Sequence, residues 1–103
     1  MSIKANPELI DAMMERVRSG WCKGSNARDK DGRMTHYASD KAVSWCLVGA
    51  WMLSSDSFDE RHEVGVAICK HVDEPRMDSW NDHPDRTKDE VLAMLAEVRA
   101  AAA

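Results

Sequence analysis

The feature that most constrains this sequence is the apolar stretch 42–53, AVSWCLVGAWML, in which Ser44 is the only clearly polar side chain. A helix that is apolar on every side must be surrounded by the rest of its protein. The stretch is also well short of the ~20 residues that cross a bilayer as a helix. It therefore predicts a buried central helix, capped by Ser39 or Asp40 and ending near Ser54.

Length and composition are typical of one folded domain spanning 1–103. The chain is 44% hydrophobic and 31% charged, which is sufficient for a single core. Its net charge of −4 argues against a general nucleic-acid-binding protein. Three cysteines (Cys22, Cys46 and Cys69) and an N-terminus without an apolar signal region lead us to expect reduced thiols and a cytoplasmic location.

Three further helices are predicted from their start signals. Asn6-Pro7 is a cap followed by proline at the first helical position, and Ser19-Gly20 ends that helix. Asp56 or Ser57 caps a helix that runs to about His71, ahead of acidic residues that complement its dipole. The last helix begins with a capping box, Thr87-Lys88-Asp89-Glu90, in which threonine and glutamate lie three residues apart.

The segments between the helices are longer than usual. In 20–38, Asp31-Gly32 predicts a short hairpin between residues near Ala27-Arg28 and residues near Met34-Thr35. The stretch 73–86 is predicted to be a connector that Trp80 anchors to the core. The fold class is therefore mainly α: a compact bundle of about four helices around 42–53, in which Gly49-Ala50 allows close approach by another helix or an aromatic ring.

The sequence contains no recognisable catalytic or metal-binding pattern. The cysteines are too far apart for the paired ligands of a zinc site, and Cys69 and His71 would point about 200° apart on a helix. A nucleophile made from Cys22 and a histidine would need a lowered thiol pKa, which no pattern indicates. We therefore expect no enzymatic activity, no metal and no cofactor.

The loop 20–38 is the basic part of an acidic protein. It carries four cations against Asp29 and Asp31, interleaved with Trp21; the cations are Lys23, Arg28, Lys30 and Arg33. Our leading hypothesis is a small regulator or inhibitor of bacterial or phage type that docks on a protein partner through this loop or through 73–90. The competing interpretation is a solvated loop with Trp21 in the core.

Two further hypotheses remain open. The cluster Trp80, Asn81, Asp82 and Arg86 could converge on a small molecule or nucleotide, although capping and turn formation explain the same residues. The basic loop alone could make weak nucleic-acid contacts. The sequence does not predict the oligomeric state.

Three stretches resemble an uncharacterised family of small bacterial and phage proteins, a domain of unknown function. They are GWCKGSNARDKDG (20–32), AVSWCLVGA (42–50) and WNDHPDRTKDEV (80–91). The resemblance implies a small, mainly helical cytoplasmic domain and brings no catalytic roles. It marks these positions for testing: Trp21, Trp45, Gly49, Ala50, Trp80, Asn81, Asp82, Arg86 and Thr87.

Overall fold

The computed structural model describes residues 5–102, which form five helices and a small three-stranded sheet. The helices are α1 (Pro7–Ser19), α2 (Leu47–Leu53), α3 (Phe58–Val72), α4 (Met77–Asn81) and α5 (Lys88–Ala102). The strands are β1 (Ala27–Arg28), β2 (Met34–Thr35) and β3 (Ser44–Trp45). The predicted mainly α fold is confirmed, with one additional short helix.

The three long helices begin at their predicted caps. Asn6 accepts a hydrogen bond from the Glu8 amide at 2.9 Å, and Ser57 accepts one from the Glu60 amide at 3.3 Å. The capping box at α5 is confirmed in both directions, because the Thr87 hydroxyl accepts from the Glu90 amide and the Glu90 carboxylate accepts from the Thr87 amide, each at 3.2 Å. Local sequence signals are sufficient at these three ends.

The predicted start of the central helix is wrong. Residues 42–46 are not helical, and α2 begins at Leu47 with Cys46 as its cap rather than Ser39 or Asp40. The reason is tertiary: the Trp45 amide donates to the Gly20 carbonyl at 2.9 Å, and the Val43 amide donates to the Arg28 carbonyl at 2.9 Å. These bonds satisfy the backbone in an extended conformation, so the apolar pattern alone overestimates the helix.

The shortened helix α2 still lies in the interior. Leu47, Gly49 and Ala50 are buried, and the other four residues of α2 are at least partly covered by α1, α3 and α4. A Cβ at Gly49 would lie 1.9 Å from the Asn26 carbonyl oxygen. The close approach predicted at Gly49 is therefore confirmed, but its neighbour is loop backbone and not a helix or an aromatic ring.

The predicted hairpin is confirmed at the expected residues. β1 and β2 pair antiparallel with Ala27 opposite Thr35 and Arg28 opposite Met34. Gly32 in the turn has φ +79°, a conformation that glycine adopts readily. The third strand was not predicted: β3 pairs antiparallel on the other side of β1, so that the strand order is β2-β1-β3.

The connector after α3 also contains more structure than predicted. Asp73 ends α3 in the left-handed conformation, at φ 56°, and four residues later the chain forms the short helix α4. Met77 is buried against the core and Trp80 is half-buried, as expected of an anchor. This turn of helix places Asn81 next to the start of α2, where its side chain bonds to the Leu47 amide.

Candidate functional site

Asn81 is a fully buried polar side chain that joins three separate segments of the chain. Its Oδ1 accepts hydrogen bonds from the Trp21 indole N–H at 2.7 Å and from the Leu47 amide at 3.1 Å. Its Nδ2 donates to the Cys22 carbonyl at 3.2 Å and to the Asp82 carboxylate at 3.0 Å. We call this set, Trp21, Cys22, Leu47, Asn81 and Asp82, the Asn81 junction.

The Asn81 junction explains the start of α2. Leu47 is the first residue of α2, so its amide has no acceptor within the helix. The side chain of Asn81, which is 34 residues distant in sequence, supplies that acceptor. Asn81 thus acts as a second cap for α2 beside Cys46, whose sulfur accepts from the Gly49 amide at 3.4 Å.

A second set of hydrogen bonds joins the loop 20–38 to the connector 73–86. The Lys23 ammonium donates to the carbonyls of His83 and Pro84 at 2.8 and 3.1 Å, and the Gly24 amide donates to the Asp82 carboxylate at 3.0 Å. The Arg28 guanidinium donates to the carbonyls of Lys23 and Gly32. The two surfaces that the sequence offered as alternatives are therefore in direct contact through Lys23 and Gly24, whereas Arg28 bonds within the loop itself.

Arg86 lies over Trp80 rather than beside Asn81. Its guanidinium carbon is 3.8 Å from the centre of the Trp80 ring, its Nε donates to the Trp80 carbonyl at 2.9 Å, and it pairs with Glu90 at 3.2 Å. Only 18% of the Arg86 side chain is exposed. Its donors are directed at protein atoms, and it connects the end of α4 to the first turn of α5.

The structure does not bring the four predicted ligand-binding residues together around an open pocket. Asn81 faces the interior, Arg86 covers Trp80, and Asp82 accepts from the Gly24 amide. Each of these polar groups has a partner within the chain, which is the arrangement of a structural network. Small-molecule binding by this cluster and nucleic-acid contact by the basic loop remain predictions.

Two buried thiols adjoin the Asn81 junction. Burial raises the pKa of Cys22, partly offset by a hydrogen bond with Ser44, and burial likewise raises the pKa of Cys46. An activated nucleophilic cysteine requires the opposite shift. All three cysteines of the chain are free thiols.

The remaining predicted cations, Lys30 and Arg33, lie at the turn of the hairpin. Together with residues 40–43 they border a recess of about 510 Å³, lined by Asp29, Lys30, Asp31, Arg33, Asp40, Lys41 and Val43. We call these seven residues the hairpin surface. Five of them are exposed charged residues, and Val43 is 50% exposed.

Asp29 differs from the other carboxylates of the hairpin surface. Its Oδ1 accepts from the Asp31 amide at 2.9 Å and from the Arg33 amide at 3.0 Å. The Arg33 amide is the main reason why the pKa of Asp29 lies below its usual value, with a smaller contribution from the Asp31 amide. Asp29 therefore shapes the turn, while the side chains around it face solvent.

Sequence reasoning missed three members of the hairpin surface: Asp40, Lys41 and Val43. They were assigned to the start of a buried helix, because Ala42 and Val43 continue the apolar run. Only the pairing of β3 with β1 brings them beside Lys30 and Arg33. No local signal in the sequence indicates that pairing.

Residues 5–102 contain no group of three or more His, Cys, Asp or Glu side chains placed to hold a metal ion. Among the helices described, none has the length and apolar character that a bilayer span requires.

The chain belongs to a family of unknown function, DUF6197, whose model matches residues 2–102. The resemblance drawn from the three sequence stretches is thereby confirmed, and the function of the family is not known. No curated protein matches the chain. No solved structure matches it either.

Proposed function

We propose that the chain is a small, non-enzymatic protein-interaction module that docks through the hairpin surface onto an acidic segment of a partner protein. The observation that carries the proposal is the recess of about 510 Å³, which combines three cations with the half-exposed side chain of Val43. A charged rim around an apolar contact is a common arrangement at protein interfaces.

The charges of the hairpin surface favour an acidic partner, although its three cations and three carboxylates are equal in number. The cations have long side chains, whereas aspartate is short, so positive charge extends farthest from the backbone. Asp29 is moreover held by two backbone amides. Within residues 5–102, the side chains of Lys30 and Arg33 make no hydrogen bond or ion pair, so both can engage a partner.

The test is capture from a nuclease-treated lysate of the native host at low salt, read by quantitative mass spectrometry. We expect Lys30→Ala/Arg33→Ala to reduce recovery of the captured partner at least about tenfold, which corresponds to about 1.4 kcal/mol. Both side chains are exposed, so the fold should be unaffected. Nuclease treatment removes nucleic acid as a bridge between the chain and other proteins.

The matched control is Arg18→Ala/Arg76→Ala, which removes the same charge from side chains that are 55% and 71% exposed elsewhere. This control should retain the partner. Three results would each overturn the proposal. They are unchanged recovery of the partner with Lys30→Ala/Arg33→Ala relative to the parent, an equal loss of the partner in both double variants, and no captured protein above the bait-free background.

A further inference from the structure

An apolar recess lies along α3, away from the hairpin surface. It measures about 670 Å³ and is lined by Trp51, His62, Gly65, Val66, Cys69, Lys70, Asp73, Glu74, Pro75 and Met77. Val66 is 38% exposed within it. At the other end of the same helix, Phe58 is 71% exposed and stacks on His62 with ring centres 6.0 Å apart.

Phe58, His62 and Val66 follow each other at intervals of four residues, so they lie on one side of α3. The recess continues that side toward the C-terminal end, at Cys69 and Lys70. We call these five residues the α3 face. It therefore presents a protruding aromatic side chain at its N-terminal end, followed by a hollow that extends from His62 to Lys70, about 12 Å along the helix at 1.5 Å per residue.

We propose that the α3 face binds a second copy of this chain, with the two α3 helices packed antiparallel about a twofold axis. A twofold axis near the middle of α3 places Phe58 of each copy over the recess of the other. Such an interface is isologous, because each copy supplies both the protruding ring and the hollow. This proposal concerns a different surface from the hairpin surface and does not depend on it.

The charges along α3 complement each other in this orientation. Asp59 and Glu60 lie in the first turn, and Lys70 and His71 lie in the last turn. Antiparallel packing brings Asp59 of one copy close to Lys70 of the other, twice in each dimer. Antiparallel packing also directs the two helix dipoles in opposite senses, which is favourable. Parallel packing would instead place charges of the same sign next to each other.

Sedimentation velocity across a range of protein concentrations measures the association directly. The parent is expected to form dimers with a Kd of roughly 1 to 100 μM, and Phe58→Asp is expected to weaken the dimer at least about tenfold. The matched control is Met34→Asp, because Met34 is 70% exposed and lies on β2. This control should dimerise as the parent does.

A charge exchange distinguishes the proposed orientation from other dimers. Asp59→Lys and Lys70→Glu should each weaken self-association, because each variant alone places like charges opposite each other. A mixture of the two variants should associate again, since both contacts in the mixed dimer then pair opposite charges. An effect within one chain cannot produce such recovery.

Three results would overturn the proposal. The first is a parent that stays monomeric at millimolar concentration. The second is a dimer that withstands Phe58→Asp while Met34→Asp disrupts it. The third is a mixture of Asp59→Lys and Lys70→Glu that associates no better than either variant alone. Circular dichroism of each variant verifies that the fold is intact.

Discussion

Replacing Asn81 by alanine is expected to lower the free energy of unfolding by roughly 3 to 5 kcal/mol. The truncation leaves the Trp21 indole N–H, the Leu47 amide and the Cys22 carbonyl without their partner. An unsatisfied buried group costs about 1 to 3 kcal/mol, and water entering the space offsets part of the total. Denaturant unfolding followed by circular dichroism measures the loss.

The neighbouring variant Asp82→Ala is the control for Asn81→Ala. Asp82 is exposed, and its carboxylate accepts hydrogen bonds from the Gly24 amide and the Asn81 side chain. We therefore expect Asp82→Ala to lower the free energy of unfolding by less than about 1 kcal/mol. Trp21→Phe removes the indole N–H and should couple to Asn81→Ala by about 1 kcal/mol or more in a double-mutant cycle. A loss below about 1 kcal/mol for Asn81→Ala would contradict the structural role of this residue.

Gly49→Ala is expected to destabilise the protein by about 3 kcal/mol or more. In an ordinary helix interior, the same change is worth about 1 kcal/mol of additional stability. Here the added methyl group would lie 1.9 Å from the Asn26 carbonyl oxygen, and the Asn26 carbonyl already accepts from the Cys46 amide. The loop backbone must therefore move away from α2, which weakens that bond. Thermal and denaturant unfolding report the change.

Gly65→Ala in α3 is the matched control for Gly49→Ala. Its methyl group would meet the Trp51 ring at 3.2 Å, and a half-buried side chain can shift by a few tenths of an ångström. The gain in helix propensity and the cost of moving the Trp51 ring should nearly cancel. We therefore expect Gly65→Ala to change the free energy of unfolding by no more than about 1 kcal/mol. If Gly49→Ala were as well tolerated as Gly65→Ala, the close approach of the loop to α2 would be wrong.

The helices could be predicted wherever the signal is local. Caps and helical periodicity were sufficient for α1, α3 and α5, and Asp31-Gly32 was sufficient for the hairpin. Each of these signals lies within a few residues of the structure that it determines. Membership of a family of unknown function was also expected from the sequence, and the family model matches residues 2–102.

Two of the errors concern contacts that are distant in sequence. The backbone of 42–46 is extended because Gly20 and Arg28 bond to it, and neither residue belongs to the apolar pattern that predicted a helix. Asn81 was interpreted as a turn or ligand-binding residue because three of its four hydrogen-bond partners lie 34 to 60 residues away. A buried asparagine and an exposed one cannot be distinguished from residue type alone.

Hydrogen bonds within the chain distinguish the basic loop residues that stabilise the fold from those whose side chains remain exposed. Of the four basic residues in the loop, Lys23 and Arg28 donate to backbone carbonyls, whereas Lys30 and Arg33 face solvent. The Trp-Asn-Asp string that carries the family resemblance lies largely within the Asn81 junction. Asn81 and Asp82 thus contribute to the folded structure through their hydrogen bonds.

The central claim is that loop 20–28 and connector 77–84 form one folded unit around Asn81, with the hairpin turn outside it. Hydrogen exchange of the free protein, followed by NMR, tests this claim most directly. We predict that the Leu47 amide and the Trp21 indole N–H exchange only through global unfolding, while the Lys30 amide exchanges rapidly. Exchange of the Leu47 amide and the Trp21 indole at a rate similar to that of Lys30 would contradict the account.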